Sequence, residues 1–426
     1  MRDGLRADGL LRARRPEDRH RHLPYPQRES RRTPGRPADD PRRPRRRQPR
    51  RPLGQGAGPA PEGAGGLRPD RVRPARDGPF HRRLLRRGDR RPRRQHPAAL
   101  ARRGRLDHPE HGRRAAHVPN EARDIDSVRA ALGERKLSAW GVSYGTYVGA
   151  VYSQLFPHRT DRIVLDSNNN PDHVRVVRAW LAAFEQGTED VFAEFAKWAS
   201  RPGNPDRVAR TPQEVRARFL DLAARLDREP LPRPGANPPV LNGNELRQEM
   251  LSAMYDPDSF PGLARLIRSV EQGTVPPAPP SPPEEVLQNY VGVGAGTICN
   301  DSAWPRDAAV YQKDVTESRA EYPLTAGMPR NAMLCAAWPF PPKEAPVRIT
   351  DRGPSNILLV QNERDPATPL SGARKLRAAL GDRAVMVVND ATGHDAYLAN
   401  GTKCGDRLVS RFLATGERPE KDVYCE

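Results

Sequence analysis

The chain has 426 residues, with 72 Lys plus Arg against 53 Asp plus Glu, for a formal charge of +19. This length suits two or three domains or one large elaborated domain. The charge is concentrated in residues 1–117, which hold 35 Arg, no Lys and 13 acidic residues, whereas residues 118–426 have a net charge of −3. The high isoelectric point therefore reflects the first quarter of the chain. This uneven distribution of charge excludes a uniformly basic protein.

Residues 1–117 contain no Ile, Asn, Cys or Trp and a single Phe. Such a segment buries too little apolar surface to offset the entropy lost on ordering, so we expect it to be disordered. Three interpretations stay open: a solvated basic tail, an Arg-rich binder of nucleic acid or another anionic surface, and translation of a GC-rich gene in a shifted frame. We favour the third, and we expect no nucleic-acid partner because aromatic residues are not interleaved with the arginines and there is no binding-fold signature.

Ordered sequence is predicted from Val118 onwards. Apolar residues at helical spacing indicate a helix that ends near Gly133. A buried strand is predicted over 137–142, a helix over 144–156 and a second strand over 162–166. The order of strand, sharp turn, helix and strand is typical of a parallel βαβ unit.

The pattern changes after residue 171. Helical stretches alternate with Pro-rich breaks over 172–290, which indicates an α-helical insertion such as a lid, and residues 291–345 are predicted to be irregular. An α/β pattern resumes from Pro354. The predicted elements there are a strand over 357–361, a helix over 371–380, a strand over 384–388 and a final helix over 406–413.

Ser143 lies in a G-x-S-x-G motif between a predicted strand and a predicted helix. A serine exposed on such a turn can be reached by a base, which it needs in order to become a nucleophile. We expect side chains at Gly141 and Gly145 to collide with the neighbouring strand and helix. The backbone N–H of Tyr144, at the positive end of the helix, is the predicted oxyanion donor.

The base is predicted by elimination and chain order. Seven of the ten histidines fall in residues 1–117, which leaves His158, His173 and His394. His158 is placed at the far end of the nucleophile helix and His173 at the start of the lid. His394 follows a predicted strand near the C-terminus, where enzymes with a G-x-S-x-G nucleophile turn carry their base.

The acid is expected between Ser143 and His394, on a loop that follows a strand. Asp365 in the segment QNERDPATPL fits this position, and a buried carboxylate there would orient the imidazole of His394. Glu363 and Asp166 are the rival carboxylates. Asp166 ends the strand after the nucleophile helix, where a structural role is more common.

The cysteines are Cys299, Cys335, Cys404 and Cys425, all in the last third of the chain. An even number outside any CxxC spacing argues against a metal site and fits disulfides, which form in oxidising compartments. The start of the chain has no apolar core of a signal peptide. No apolar run is long enough to span a membrane, and no cofactor or metal is implied.

Several segments together resemble the secreted tripeptidyl aminopeptidases, α/β-hydrolase peptidases related to prolyl aminopeptidases. The matching text is GVSYGTYVGAVY with RIVLDS, then CNDSAWP, MLCAAWPF, ILLVQNERDPATPL and ATGHDAYLANGTKC. The resemblance implies an α/β-hydrolase fold with a helical lid, a secreted enzyme, a peptide substrate and the roles of Ser143, Asp365 and His394 as nucleophile, acid and base. It also implies two disulfides, which pair Cys299 with Cys335 and Cys404 with Cys425.

The resemblance divides the chain into core segments at 118–171 and 346–426 and a lid at 172–345. The first part of the family's sheet, with the second oxyanion donor, is missing or unreadable in residues 1–117. Loss of one such donor costs about 10²–10³ in rate, and loss of core strands costs the fold. We therefore expect the chain as written to fold poorly or to be inactive.

The predicted function is release of short peptides from the N-terminus of a substrate through an acyl-enzyme. A prolyl-type aminopeptidase or an esterase would use the same triad. An inactive hydrolase remnant with a basic, nucleic-acid-binding tail is the alternative outside the enzymes. The oligomeric state is left open.

Overall fold

The computed structural model describes residues 117–173 and 176–426. The predicted disorder of residues 1–117 and the alternatives for that segment lie outside the described residues, with one exception. His117 is buried and directly precedes the first described helix.

The part of the core that carries the predicted nucleophile follows the predicted order of elements. Helix α1 (Val118–Ala131) is followed by strand β1 (Leu137–Val142), helix α2 (Tyr144–Leu155) and strand β2 (Thr160–Asp166). Pro157 comes soon after α2, where it cannot continue the helix. Strands β1 and β2 pair in parallel, as the βαβ pattern predicts.

The C-terminal segment extends the same sheet. Its elements are β5 (Ile357–Arg364), α9 (Leu370–Leu380), β6 (Ala384–Thr392), α10 (Lys403–Thr415) and β7 (Val423–Cys425). The strand order is β1-β2-β5-β6-β7, and every neighbouring pair is parallel. Strands β5 and β6 run further than predicted, and β7 was not predicted because three residues carry too weak a pattern.

The helices between β2 and β5 have a hydrophobic core of their own. Helices α3 (Val176–Ser200), α4 (Pro212–Arg228), α5 (Gly243–Met254) and α6 (Phe260–Glu271) surround it, with a two-stranded ribbon, β3 (Leu231–Pro232) and β4 (Val240–Leu241), beside them. Buried side chains of this core include Phe192, Phe195, Phe219, Leu246, Met250 and Ile267.

The prediction that residues 291–345 are irregular was wrong. Helices α7 (Glu284–Asp301) and α8 (Ala308–Glu321) occupy much of this region. Three glycines in α7 lower its intrinsic helix propensity. Helix α8 is largely polar and buries only Tyr311 and Ser318, so it lacks the apolar stripe by which helices are recognised in a sequence.

The described residues contain two disulfides, and their pairing is the one that the resemblance implies. Cys299 in α7 is bonded to Cys335, and Cys404 in α10 is bonded to Cys425 in β7. Across the described ranges, no helix combines the length and the apolar character needed to cross a membrane.

Candidate active site

The carboxyl ends of parallel strands meet at one edge of the sheet, and the predicted site residues lie there. Ser143 follows β1, Asp365 follows β5, and His394 comes two residues after β6. Strand β2 lies between β1 and β5, so residues that follow β2 can contact both the nucleophile turn and the histidine loop.

The turn at Ser143 is strained and held from both sides. Ser143 has φ 54° and ψ −119°, a backbone conformation that residues other than glycine rarely adopt. Its N–H donates to the Asp166 carbonyl at 2.9 Å, and its carbonyl accepts from the Thr146 N–H at 2.9 Å and the Asn169 side-chain amide at 2.8 Å. Strain of about 1–3 kcal/mol persists only where such contacts enforce it, and it is common at functional sites.

The residues around Ser143 have distinct roles in the turn. A Cβ on Gly141 would lie 2.8 Å from the Gly145 carbonyl carbon, so position 141 requires glycine. A Cβ on Gly145 would meet no described atom within 4 Å, so the predicted collision there is wrong for this part of the chain. Tyr144 is the first residue of α2, and its backbone N–H has no partner within the helix.

Asp365 and His394 are in direct contact. The imidazole Nδ1 lies 3.0 and 2.9 Å from the two carboxylate oxygens, and both residues are buried. The same carboxylate accepts the N–H of Ala367 at 2.9 Å and the N–H and hydroxyl of Thr368, each at 2.8 Å. These donors fix the carboxylate in a single orientation beside the ring.

The partners of the imidazole determine where its proton lies. An ionised carboxylate can only accept, so Nδ1–H of His394 donates to Asp365, which leaves Nε2 with a lone pair in the neutral ring. Burial lowers the pKa of His394, but the hydrogen bond and charge of Asp365, with smaller contributions from Asp395 and Asp166, raise that pKa above its usual value. The carboxylate of Asp395 lies 3.6 Å from Nε2.

The rival residues have other partners. Asp166 is buried, and its carboxylate accepts the N–H groups of Ala396 at 2.8 Å and Tyr397 at 3.0 Å, so it anchors the histidine loop instead of orienting the ring. Burial raises the pKa of Asp166, which these donors oppose. Glu363 contacts Arg364 at 3.1 Å and the Tyr424 hydroxyl at 2.9 Å.

Three further residues at the site were missed in the sequence. The hydroxyl of Thr368 donates to Asp365. The backbone carbonyl of Tyr255 accepts the backbone N–H of His394 at 2.8 Å. Gly187 lies inside α3 against the acid loop, where a Cβ would come 2.6 Å from the Asp365 carbonyl oxygen. Gly187 did leave a signal, because a glycine inside an amphipathic helix often marks a close approach.

The C-terminal region matches a known family. Residues 322–425 match the model of a family described as TAP-like protein. Over 324 residues the chain is 32% identical to the tripeptidyl aminopeptidase of Streptomyces lividans, which covers 72% of this chain and 58% of that protein. The chain is an α/β-hydrolase with a TAP-like C-terminal region.

This α/β-hydrolase also has a more distant peptidase relative. It is 27% identical over 327 residues to the serine protease Hip1 of Mycobacterium tuberculosis, with 73% of this chain and 62% of that protein covered. The chain therefore spans less than two thirds of the length of both curated relatives. A solved meta-cleavage product hydrolase from Pseudomonas fluorescens is 14% identical with a TM-score of 0.30, over 70% of this chain and 71% of that chain, a likeness too low to carry an argument.

The packing of Gly187 against the acid loop predicts opposite effects for two matched substitutions. Gly187→Ala forces the loop that carries Asp365 away from α3 and should lower the free energy of unfolding by about 1–3 kcal/mol. Gly262→Ala is the control, since an added Cβ on that exposed glycine of α6 meets no described atom within 4 Å. The control should raise the free energy of unfolding by up to about 1 kcal/mol. Denaturant titration measures both, and equal effects of the two substitutions would refute the contact.

The charge of Asp365 predicts the titration of His394. In an NMR titration the pKa of the His394 imidazole should exceed 6.5. Because the pKa is raised, the extra stability that the charged imidazole gains beside Asp365 is fully present below the unfolded-state pKa. It is lost as the pH rises through the folded-state pKa, while the hydrogen bond of the neutral ring to Asp365 remains. Asp365→Asn should lower the pKa of His394, since burial then meets less opposition. Asp395→Asn is the control and should lower it less, because Asp395 is exposed and screened by water; a larger fall in the control would contradict this assignment.

Proposed function

We propose that this α/β-hydrolase is a serine exo-peptidase that releases short peptides from the N-terminus of its substrates through an acyl-enzyme. The observation that carries the proposal is the contact between His394 Nδ1 and the Asp365 carboxylate, at the same sheet edge as the strained Ser143. Similarity to the tripeptidyl aminopeptidase of S. lividans supports a peptide as the acyl substrate.

Acylation would use one proton transfer in each direction. His394 Nε2 takes the proton of the Ser143 hydroxyl while Oγ attacks the scissile carbonyl carbon, and the negative charge that develops on the carbonyl oxygen is met by the Tyr144 N–H. The imidazolium, stabilised by Asp365, then gives its proton to the leaving nitrogen as the C–N bond breaks. In deacylation, His394 takes a proton from a water molecule while the water oxygen attacks the acyl carbonyl carbon. The imidazolium then returns this proton to Ser143 Oγ as the ester C–O bond breaks and the peptide acid leaves.

We assign the segments 118–171 and 346–426 to the catalytic core and 172–345 to a lid. Helix α3 supports this division, because it crosses the catalytic edge while it contributes to the separate core of the helical segment. A lid limits the approach of internal segments of a folded protein, which favours cleavage near a chain end.

We also propose that the enzyme acts outside the cytoplasm. Two disulfides among the described residues support an oxidising compartment, in which such bonds form and persist. A secreted peptidase would meet free peptides there.

Hydrolysis of a tripeptide anilide by the full chain tests the proposed function. The free tripeptide anilide should be cleaved faster than a proline anilide or a simple ester, and its N-acetylated form should resist cleavage. Ser143→Ala should reduce the rate by at least about 10³-fold, because the triad acts as a unit. Preference for the proline anilide or the ester would instead support one of those alternatives.

The same assay decides between an enzyme and an inactive remnant. Turnover that depends on Ser143 would contradict the expectation, drawn from residues 1–117, that the chain as written is inactive. A chain that circular dichroism shows to be folded, and that hydrolyses none of the three substrates, would overturn the proposed function.

A further inference from the structure

An apolar cavity of about 280 Å³ lies within the helical segment, and Tyr255 in its wall contacts His394. Gln248 and Ser252 lie at its exposed side, and none of the described residues that line it carries a charge. Its apolar walls are Leu181, Phe184, Leu251, Tyr255, Met328 and Pro329. Sites for drug-sized ligands occupy about 300–1,000 Å³, so this cavity is at the small end of that range and has room for one side chain.

Tyr255 connects the cavity to the predicted base. Its carbonyl accepts the His394 N–H at 2.8 Å, and its ring meets the imidazole edge-on with the ring centroids 5.1 Å apart. The centroid of the Tyr255 ring also lies 6.4 Å from the centroid of the Phe184 ring. A group in the cavity would therefore lie one aromatic ring away from His394.

Contacts along α3 give the order of the site residues beside this helix. The ring of Trp180, near the start of α3, meets the ring of Tyr144 edge-on, with the ring centroids 5.9 Å apart. The backbone N–H of Tyr144 is the predicted oxyanion donor. One turn later Phe184 faces Tyr255, and Gly187 then packs against Asp365. A substrate with its carbonyl oxygen at Tyr144 and its leaving nitrogen at His394 would extend its leaving portion past Tyr255.

We propose that this cavity binds an apolar side chain of the first substrate residue on the leaving-group side of the scissile bond. This inference rests on the proposed peptidase function. Apolar walls favour an aliphatic or aromatic side chain, whereas a polar one would lose its hydration without gaining partners. The cavity thus selects peptides by the residue that follows the cleaved bond.

Binding to the full chain with Ser143→Ala tests the proposal without turnover. The leaving-side ligands are the tetrapeptide amides Ala-Ala-Ala-Leu and Ala-Ala-Ala-Asn, and the acyl-side ligands are Ala-Ala-Leu-Ala and Ala-Ala-Asn-Ala. Titration calorimetry should give a Kd at least about tenfold lower for Leu than for Asn in the leaving-side pair, the discrimination usual for apolar pockets. The acyl-side pair should differ by about threefold or less.

Matched variants locate the preference. Leu181→Asn, added to Ser143→Ala, puts an amide into the cavity wall and should reduce the leaving-side preference to about threefold or less. Leu220→Asn is the control, since Leu220 is also partly buried but lies on α4 away from the cavity. Should Leu181→Asn fail to fold by circular dichroism, Phe184→Leu replaces it and should also weaken the preference.

The outcomes separate this inference from the proposed function. A preference confined to the acyl-side pair, or one that survives in the folded cavity variant, overturns the assignment of the cavity while peptide binding stands. Equal binding of Leu and Asn peptides in both pairs overturns it as well. If none of the four peptides binds, the proposed peptidase function fails, and the inference that rests on it fails with it.

Discussion

Asp166 ties the turn that carries Ser143 to the loop that carries His394. Its backbone carbonyl accepts the Ser143 N–H, and its buried carboxylate accepts the N–H groups of Ala396 and Tyr397. A buried carboxylate without such donors would be costly, so the histidine loop has one favourable position relative to the end of β2. Asp166 thereby links the turn of the predicted nucleophile to the loop of the predicted base through one backbone carbonyl and one buried carboxylate.

The predicted acid is held by the same kind of contact after the neighbouring strand. Asp365 directly follows β5. In addition to its contact with His394, its carboxylate accepts two backbone N–H groups and the Thr368 hydroxyl. Each donor reduces the freedom of the carboxylate, so little ordering is left to be done when a substrate arrives. Gly187 lets α3 approach this loop, which joins the helical segment to the acid. The arrangement concentrates rigidity at the sheet edge, where the predicted chemistry needs it.

The parts of this site that were predictable from the sequence are those with a local signature. The strand before Ser143 and the helix after it could be predicted because a short apolar run and a small-residue helix flank the G-x-S-x-G motif. His394 and Asp365 followed from chain order and elimination. Tyr255 had no such signature, because its contact with His394 joins residues 139 positions apart and arises only from tertiary packing. Helix α8 escaped prediction because a mostly exposed helix has no apolar stripe.

The most direct test of the central claim is covalent labelling of the full chain with a fluorophosphonate, with the modified residue identified by mass spectrometry. The account predicts a single adduct on Ser143, at a rate that falls as the pH drops through the pKa of His394, since a protonated imidazole cannot accept the serine proton. His394→Ala should slow the labelling by orders of magnitude. Labelling of another serine, or labelling of Ser143 at an unchanged rate in His394→Ala, would contradict the assignment of nucleophile and base.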